Sequence, residues 1–328
     1  MKFVSRFAPS PTGFLHIGNL RTAIFNYMVT KKNDGKFILR IDDTDKDRSH
    51  QHFIDQIKSD LEWLGLEWDQ LEMQSDRIDL YESLAKRLRE SGRLYECFET
   101  PAELELKRKK LLNMGKPPVY DRSALKLTDL DLKKLRSDKP SHWRFKLNRQ
   151  RVDWRDGILG PISIDCASVS DPVLIRGDGQ FLYTLASVCD DIDMSINYVI
   201  RGADHVTNTG TQIQMLASLN EAIPTFSHHS LLTGSKGEPL SKRLGKLSLK
   251  DMRENGIEAR ALFSFMATLG SSNPIDLNVK IADQIKSFET ANFGSAPTKF
   301  DYEILKNVSA KYLNKSNYSD ISRYLSTS

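Results

Sequence analysis

The chain has 328 residues, 39% hydrophobic and 27% charged, which suits two or three globular domains and excludes a disordered or fibrous chain. Its formal charge of +4 permits a polyanionic partner without demanding one. The three widely spaced cysteines Cys97, Cys166 and Cys189 exclude a disulfide framework and a cysteine-rich zinc site, and no apolar run approaches the roughly 18 residues of a membrane span; a cytoplasmic protein is expected.

In chain order, residues 3–8 read as a short strand, ended by Pro9-Ser10-Pro11-Thr12-Gly13. From about Gly18 a helix is expected, with Leu20, Ala23, Ile24, Tyr27 and Met28 on one face. Asn33-Asp34-Gly35 breaks it, and Phe37 to Ile41 suits a buried parallel strand. Ser49 is expected to cap a second helix that turns Phe53, Ile54, Ile57, Leu61 and Leu64 inward and ends at Gly65. Strand, helix, strand, helix is the rhythm of a doubly wound α/β domain.

That rhythm is interrupted by residues 77–125, read as charged and helical. They are followed by Trp143, Phe145 and Leu147 alternating with Arg144 and Lys146 as a half-exposed antiparallel strand, and by a hairpin turn at Asp178-Gly179. Parallel-sheet character returns at Ile196 to Ile200, with a helix around Gln212–Leu219. From about residue 235 the chain reads as polar and mainly helical. The expected division is a split Rossmann-type domain over 1–76 and 182–232, an inserted α+β domain over 77–181, and a helical region over 233–328.

Four stretches carry chemistry. Arg6-Phe7-Ala8-Pro9-Ser10-Pro11-Thr12-Gly13-Phe14-Leu15-His16-Ile17-Gly18-Asn19 leaves a strand and enters a helix. A ligand is expected outside the carboxyl end of that strand, with free N–H groups of the helix facing a phosphate. Gly18 would let helix and ligand approach closely, and His16 would donate to phosphate oxygens, although a lone histidine at a helix start is more often a cap. Arg40-Ile41-Asp42-Asp43-Thr44-Asp45 ends the second strand with three carboxylates; Asp42 is the expected ligand for an ammonium group, while Asp43 or Asp45 suits a solvated, helix-capping loop. Val199-Ile200-Arg201-Gly202-Ala203-Asp204-His205 puts an arginine at another strand end, where burial is costly unless it is paired, so a carboxylate substrate is a reasonable partner. Gly237-Glu238-Pro239-Leu240-Ser241-Lys242-Arg243 is a basic loop that could close on a triphosphate.

The first stretch resembles the HIGH region of class I aminoacyl-tRNA synthetases, and its R-x-A-P-S-P-T-G lead narrows the resemblance to the glutamyl/glutaminyl branch. The last resembles that family's KMSKS loop, and the resemblance runs from residue 3 to about 315. It implies ATP-dependent ligation of glutamate to tRNA through a glutamyl-adenylate. Arg6 and Tyr183 would then read the γ-carboxylate, Ala8, Ser10 and Asp42 would hold the α-amino group, and Arg201 with Ser187 would fix the α-carboxylate. His16, Gly18, Asn19, Ser241, Lys242 and Arg243 would bind ATP with Mg²⁺, with His16 and Lys242 stabilising the transition state. The segment 77–181 would meet a tRNA acceptor stem through Lys107, Arg108, Lys109, Arg149 and Arg151, and a monomer without zinc is expected.

Departures from the family pattern are Asn19 at the last HIGH position, Asp42 for Glu, Ser187 where some relatives have Asn, Ala203 for Glu and Pro239 for the first KMSKS lysine. The resemblance also implies that the chain lacks most of the anticodon-binding region. Two alternatives remain: a short paralogue that glutamylates a modified tRNA base, and a non-catalytic tRNA-binding relative. A dinucleotide-binding dehydrogenase is set aside, because no G-x-G-x-x-G follows the first strand.

Overall fold

A computed structural model describes residues 2–238, 240 and 248–316. Its central sheet is built from β1 (Val4–Phe7), β2 (Lys36–Ile41), β3 (Gln70–Met73), β9 (Tyr198–Gly202) and β10 (Thr225–His229), all parallel, in the order β10-β9-β1-β2-β3. Parallel strands need crossovers, and the sequence supplies them as α1 (Ile17–Lys32), α2 (Gln51–Trp63) and α7 (Val206–Ser218). The strand order reverses between β1 and β9, so the two connections that leave them diverge and open a crevice at their carboxyl ends. The doubly wound sheet is the architecture expected from the sequence.

Local chemistry explains the elements. The apolar run of β2 is buried on both faces at Phe37, Ile38, Leu39 and Ile41. Helix α1 stops at Asn33, and the chain turns back through Asp34 in the left-handed region. Helix α2 starts one residue later than expected: His50 is its N-cap, without a side-chain cap bond, and Ser49 lies outside it. Ile54, Ile57, Leu61 and Leu64 are buried, Phe53 is half-buried, and Gly65 ends the helix at φ +70°.

Between β3 and α6 (Tyr183–Asp193) the chain forms α3 (Ile78–Glu90), β4 (Leu94–Cys97), α4 (Pro101–Asn113), α5 (Asp129–Asp138), β5 (His142–Phe145), the antiparallel ribbon β6 (Arg151–Asp156) and β7 (Gly160–Asp165), and β8 (Val173–Ile175). Strands β4, β5 and β8 make an antiparallel sheet. The helical reading of 77–125 therefore missed β4, whose alternation is too short to register. The half-exposed reading of β5 is also corrected: Arg144 is buried, with its guanidinium 4.3 Å from the Tyr120 ring centre. The turn at Asp178-Gly179 is present, with Gly179 at φ +84°. One apolar cluster joins Tyr81, Leu84, Leu88 and Phe145 to Leu185 of α6 and Met215 of α7, so this segment packs continuously onto the main sheet's helices.

Beyond β11 (Leu232–Thr233) come α8 (Leu249–Glu254), α9 (Ala259–Thr268), α10 (Ile281–Ser287), β12 (Thr298–Lys299), which pairs with β11, and α11 (Tyr302–Lys315). The polar reading of this region holds poorly for α9. Leu262, Phe263, Phe265 and Met266 are buried in the same cluster as Leu20, Ile24 and Met28 of α1. The C-terminal region thus completes the core beneath the helix that opens the crevice.

Candidate active site

A cleft of about 630 Å³ lies at the carboxyl ends of β1 and β9. Of the residues singled out from the sequence, Arg6, Ala8, Ser10, His16, Gly18, Asn19, Asp42, Tyr183 and Arg201 all line it. Ser187 does not: it is fully buried, with its hydroxyl 3.4 Å from Arg40 Nη2. Ser241, Lys242, Arg243 and Pro239 lie outside the described residues.

His16 is both a cap and a cleft residue. Its Nδ1 accepts from the backbone N–H groups of Gly18 (3.1 Å) and Asn19 (3.4 Å), and Asn19 Oδ1 accepts in return from His16 N. The helix N-terminus is therefore not the row of free donors expected from sequence. Since Nδ1 is an acceptor, the ring proton sits on Nε2, and burial lowers the His16 pKa so that the neutral form persists. Gly18 has a local reason too: a Cβ there would press on the His16 ring at 3.0 Å.

The floor beside β1 and β2 is an ion network that the sequence reading missed. Arg6 gives Nε and Nη2 to Asp191 (3.0 and 3.4 Å), and Arg40 gives Nε and Nη2 to Asp42 (2.7 and 3.2 Å) and Nη1 to Asp191 (2.9 Å). Arg77 joins through Asp190, Glu72 and Asp193. Three guanidiniums thus face the five carboxylates Asp42, Asp190, Asp191, Asp193 and Glu72. Burial alone would raise the Asp191 carboxyl, but Arg6 and Arg40 hold it low. Asp42 differs: burial pushes it up to about 6, against the pull of Arg40 and with the push of Asp190. The two-residue spacing Arg40-x-Asp42 was the available signal for the Arg40–Asp42 pair. Asp190-Asp191 on α6, some 150 residues away, had none. Asp43 accepts from Ser75 N and Asp45 pairs with Arg48, so neither caps α2.

Arg201 is different. It is buried, and its donors go to Tyr183 Oη (3.0 Å), Thr209 Oγ1 (2.5 Å), Gln212 Oε1 (2.6 Å) and His228 Nε2 (3.4 Å). Every one of these acceptors is neutral. Among the described residues no carboxylate lies within ion-pair distance of it, and burial lowers its pKa. An anion entering the cleft would find a desolvated, oriented guanidinium. Tyr183 thus stands with Arg201 here, whereas the resemblance placed it with Arg6.

Cations fit less well. The cleft's carboxylates are Asp42, already bonded to Arg40, and Asp204, so they do not build a magnesium site of their own. Cys97, Glu99 and His142 bring one ligand atom each within 4.8 Å of one another, a cluster invisible in the spacing. Burial raises the Cys97 thiol to about 12, Glu99 Oε1 takes Tyr120, Ser123 and Lys107, and His142 Nε2 stands 3.3 Å from Arg144 Nε. The one orphaned oxygen, Glu99 Oε2, is too little for four-ligand zinc. Lys107, expected to meet phosphate, pairs with Glu99 and Asp121, while Arg151 gives its Nε to the Ser163 hydroxyl.

The family described as tRNA synthetases class I (E and Q), catalytic domain, matches residues 2–307. The glutamate–tRNA ligase 1 of Roseobacter denitrificans is 62% identical over 310 residues, 94% of this chain and 70% of that protein. A glutamate–tRNA ligase 1 of Cereibacter sphaeroides is 60% identical over 313 residues, 95% of this chain and 71% of its own. The crystal structure of a glutamate tRNA ligase from Elizabethkingia meningosepticum, in complex with its amino acid, superposes with a TM-score of 0.89 at 29% identity, covering 98% of this chain and 71% of that one.

Proposed function

Since the chain belongs to the class I tRNA synthetases for glutamate and glutamine, we propose that it activates glutamate with ATP and transfers it to tRNA. The observation that carries this reading is the asymmetry of the cleft. Arg201 offers a buried guanidinium with neutral partners only, while the opposite side presents the Asp42 carboxylate beside Arg6. An amino acid with a free α-carboxylate and an α-ammonium is complementary to both. A side-chain carboxylate would take the Nη1 of Arg6, which none of the bonds to Asp191 uses.

In the proposed reaction, a glutamate α-carboxylate oxygen attacks the α-phosphorus of ATP, forming the acyl-phosphate bond while the bond to pyrophosphate breaks. The protein supplies positioning and charge stabilisation, with no covalent nucleophile. Arg201 orients the attacking carboxylate, and His16 donates Nε2–H to phosphate oxygens as their charge grows. A ribose hydroxyl of the tRNA terminus then attacks the acyl carbon and AMP leaves. Ser241, Lys242 and Arg243 belong to this proposal as triphosphate ligands, Ala8, Ser10 and Asp42 as ligands of the ammonium group, and Gly18 and Asn19 as the adenine-side wall. Mg²⁺ would arrive with the ATP. The segment 77–181 is proposed as the acceptor-stem domain, with the division at 1–76, 182–232 and 233–328 around it.

The test is pyrophosphate exchange with tRNA present, comparing glutamate, glutamine and aspartate. Glutamate should exceed glutamine by at least about a hundredfold, because an amide gives Arg6 Nη1 a neutral acceptor in place of a charge-assisted one. Equal rates for the two would remove Arg6 from side-chain recognition, and no exchange with any of them would refute the activity.

A further inference from the structure

Behind Arg201 runs a chain of buried groups that none of the steps above uses. The register of β9 and β10 sets His228 directly beside Arg201. His228 Nε2 lies 3.4 Å from Arg201 Nε and accepts the Thr209 hydroxyl at 2.9 Å, while Thr209 accepts from Arg201 Nη2. On the other edge of the ring, His228 Nδ1 stands 2.5 Å from Asp156 Oδ2, and both side chains are wholly shielded from solvent. Asp156 is not part of the central sheet. It ends β6, at the tip of the ribbon within residues 77–181. There Gly157 N donates to Phe226 O at 2.9 Å, and a Cβ on Gly157 would collide with the Ser227 hydroxyl. Glycine lets the ribbon tip seat closely on β10 without displacing the Ser227 and Tyr198 hydroxyls.

The two oxygens of Asp156 divide their duties. Oδ1 accepts from the backbone N–H groups of Ile158, Leu159 and His228, each at 3.0 Å, which closes the ribbon turn. Oδ2 is left for the imidazole. Burial alone would raise this carboxyl, but the His228 ring and the backbone donors hold it down to about 2, so it is ionised. An ionised carboxylate at Nδ1 requires the proton there and leaves Nε2 unprotonated, its lone pair an acceptor for the Thr209 hydroxyl and for Arg201 Nε. Burial lowers the His228 pKa, which keeps the ring neutral. The lone pair is what Arg201 needs, because a guanidinium has donors only. The other tautomer would set N–H against N–H.

We propose that Asp156 and His228 are positioning residues for Arg201: the carboxylate fixes the ring tautomer, the ring fixes the guanidinium, and the ribbon of residues 151–165 thereby transmits the placement of segment 77–181 to the amino-acid end of the cleft. This rests on the proposed function for Arg201 as carboxylate ligand and adds to it two residues and a route.

Asp156→Asn tests it. The amide keeps an oxygen for the turn but turns an N–H toward Nδ1 and forces the wrong tautomer. In pyrophosphate exchange with tRNA, the KM for glutamate should rise about tenfold, the cost of one misdirected hydrogen bond at a buried charge, while the KM for ATP stays within about twofold. The double variant Asp156→Asn/His228→Gln should recover most of the loss, because an amide side chain can present oxygen to Arg201 whatever stands at 156. A purely structural defect would not be rescued this way. An unchanged glutamate KM, or equal rises for both substrates, overturns the proposal. If Asp156→Asn does not fold, Thr209→Val interrupts the same chain and should show the same selective rise. A wild type that gives no exchange with glutamate sinks the function reading instead. Calorimetric binding of glutamate to wild type and Asp156→Asn then decides the positioning claim: an affinity loss near tenfold sustains it, equal affinities or no binding to either overturn it.

Discussion

The two ends of the cleft hold buried guanidiniums in opposite states. Arg40 and Arg6 are packed against carboxylates at the end of β2 and on α6, whereas Arg201 is surrounded by a phenol, a hydroxyl, an amide and an imidazole. Taking a guanidinium out of water costs several kcal/mol in either case. At the first end the protein's own anions offset that cost by direct contact; at the second, only neutral groups touch the guanidinium until a ligand arrives. The first arrangement holds the floor of the site in shape, and the second stores binding energy for an anion.

The largest effect should come from breaking the closed end. Arg40→Met would leave Asp42, Asp190 and Asp191 buried with one cation fewer, and a loss of about 3–5 kcal/mol of stability is expected in urea unfolding. A variant as stable as wild type would show that these carboxylates are neutral in the fold. Next is the open end. Arg201→Gln should lower kcat/KM for glutamate by about two to three orders of magnitude and leave the melting temperature unchanged or higher, since it removes an uncompensated buried charge. A sharp drop in melting temperature would contradict the comparison.

The smallest effect tests the acidic counterpart of Arg201. Asp60 on α2 is buried, takes one bond from Gln56, and has an oxygen with no partner; burial pushes its carboxyl up to about 6. A raised pKa means that the neutral form stabilises the fold. That contribution is complete below about 3.8 and is lost as pH rises through about 6. Asp60→Asn should therefore be near neutral at pH 4 and stabilise by about 1–2 kcal/mol at pH 8, less than the full linkage value because the new amide N–H groups must themselves be buried. Equal melting shifts at both pH values would show Asp60 to be ionised throughout.

The contrast between the two ends also marks what could be read in advance. The strand ends carrying Arg6, Asp42 and Arg201 were visible as apolar runs that stop at charged residues, because a parallel strand buried on both faces permits polarity only at its end. His16 was visible from its place between strand and helix. Asp190, Asp191, His228 and Asp156 were not, since their partners lie on distant elements and nothing in their local spacing announces them. Helix α9 was hidden for a related reason: its apolar face was averaged into a polar stretch, and only its packing against α1 shows which region it completes.

The sheet's edge-to-centre order has a consequence in time. Val4 N donates to Asn197 Oδ1 across 193 residues, and β1 pairs with β9 over the same separation. Closing a loop that long costs little extra free energy, about 0.6 kcal/mol for each doubling, so the long crossover is thermodynamically tolerable. Kinetically it is not neutral. At synthesis rates of about 5–20 residues per second, Arg6, His16 and Arg40 would leave the ribosome on the order of 10–40 s before Arg201 and His228 do. During that interval β1 has β2 beside it and an unpaired edge on its other side, so a nascent chain carries half a site and a bare strand. Until β9 emerges, the chain itself has no strand in place to cover that edge.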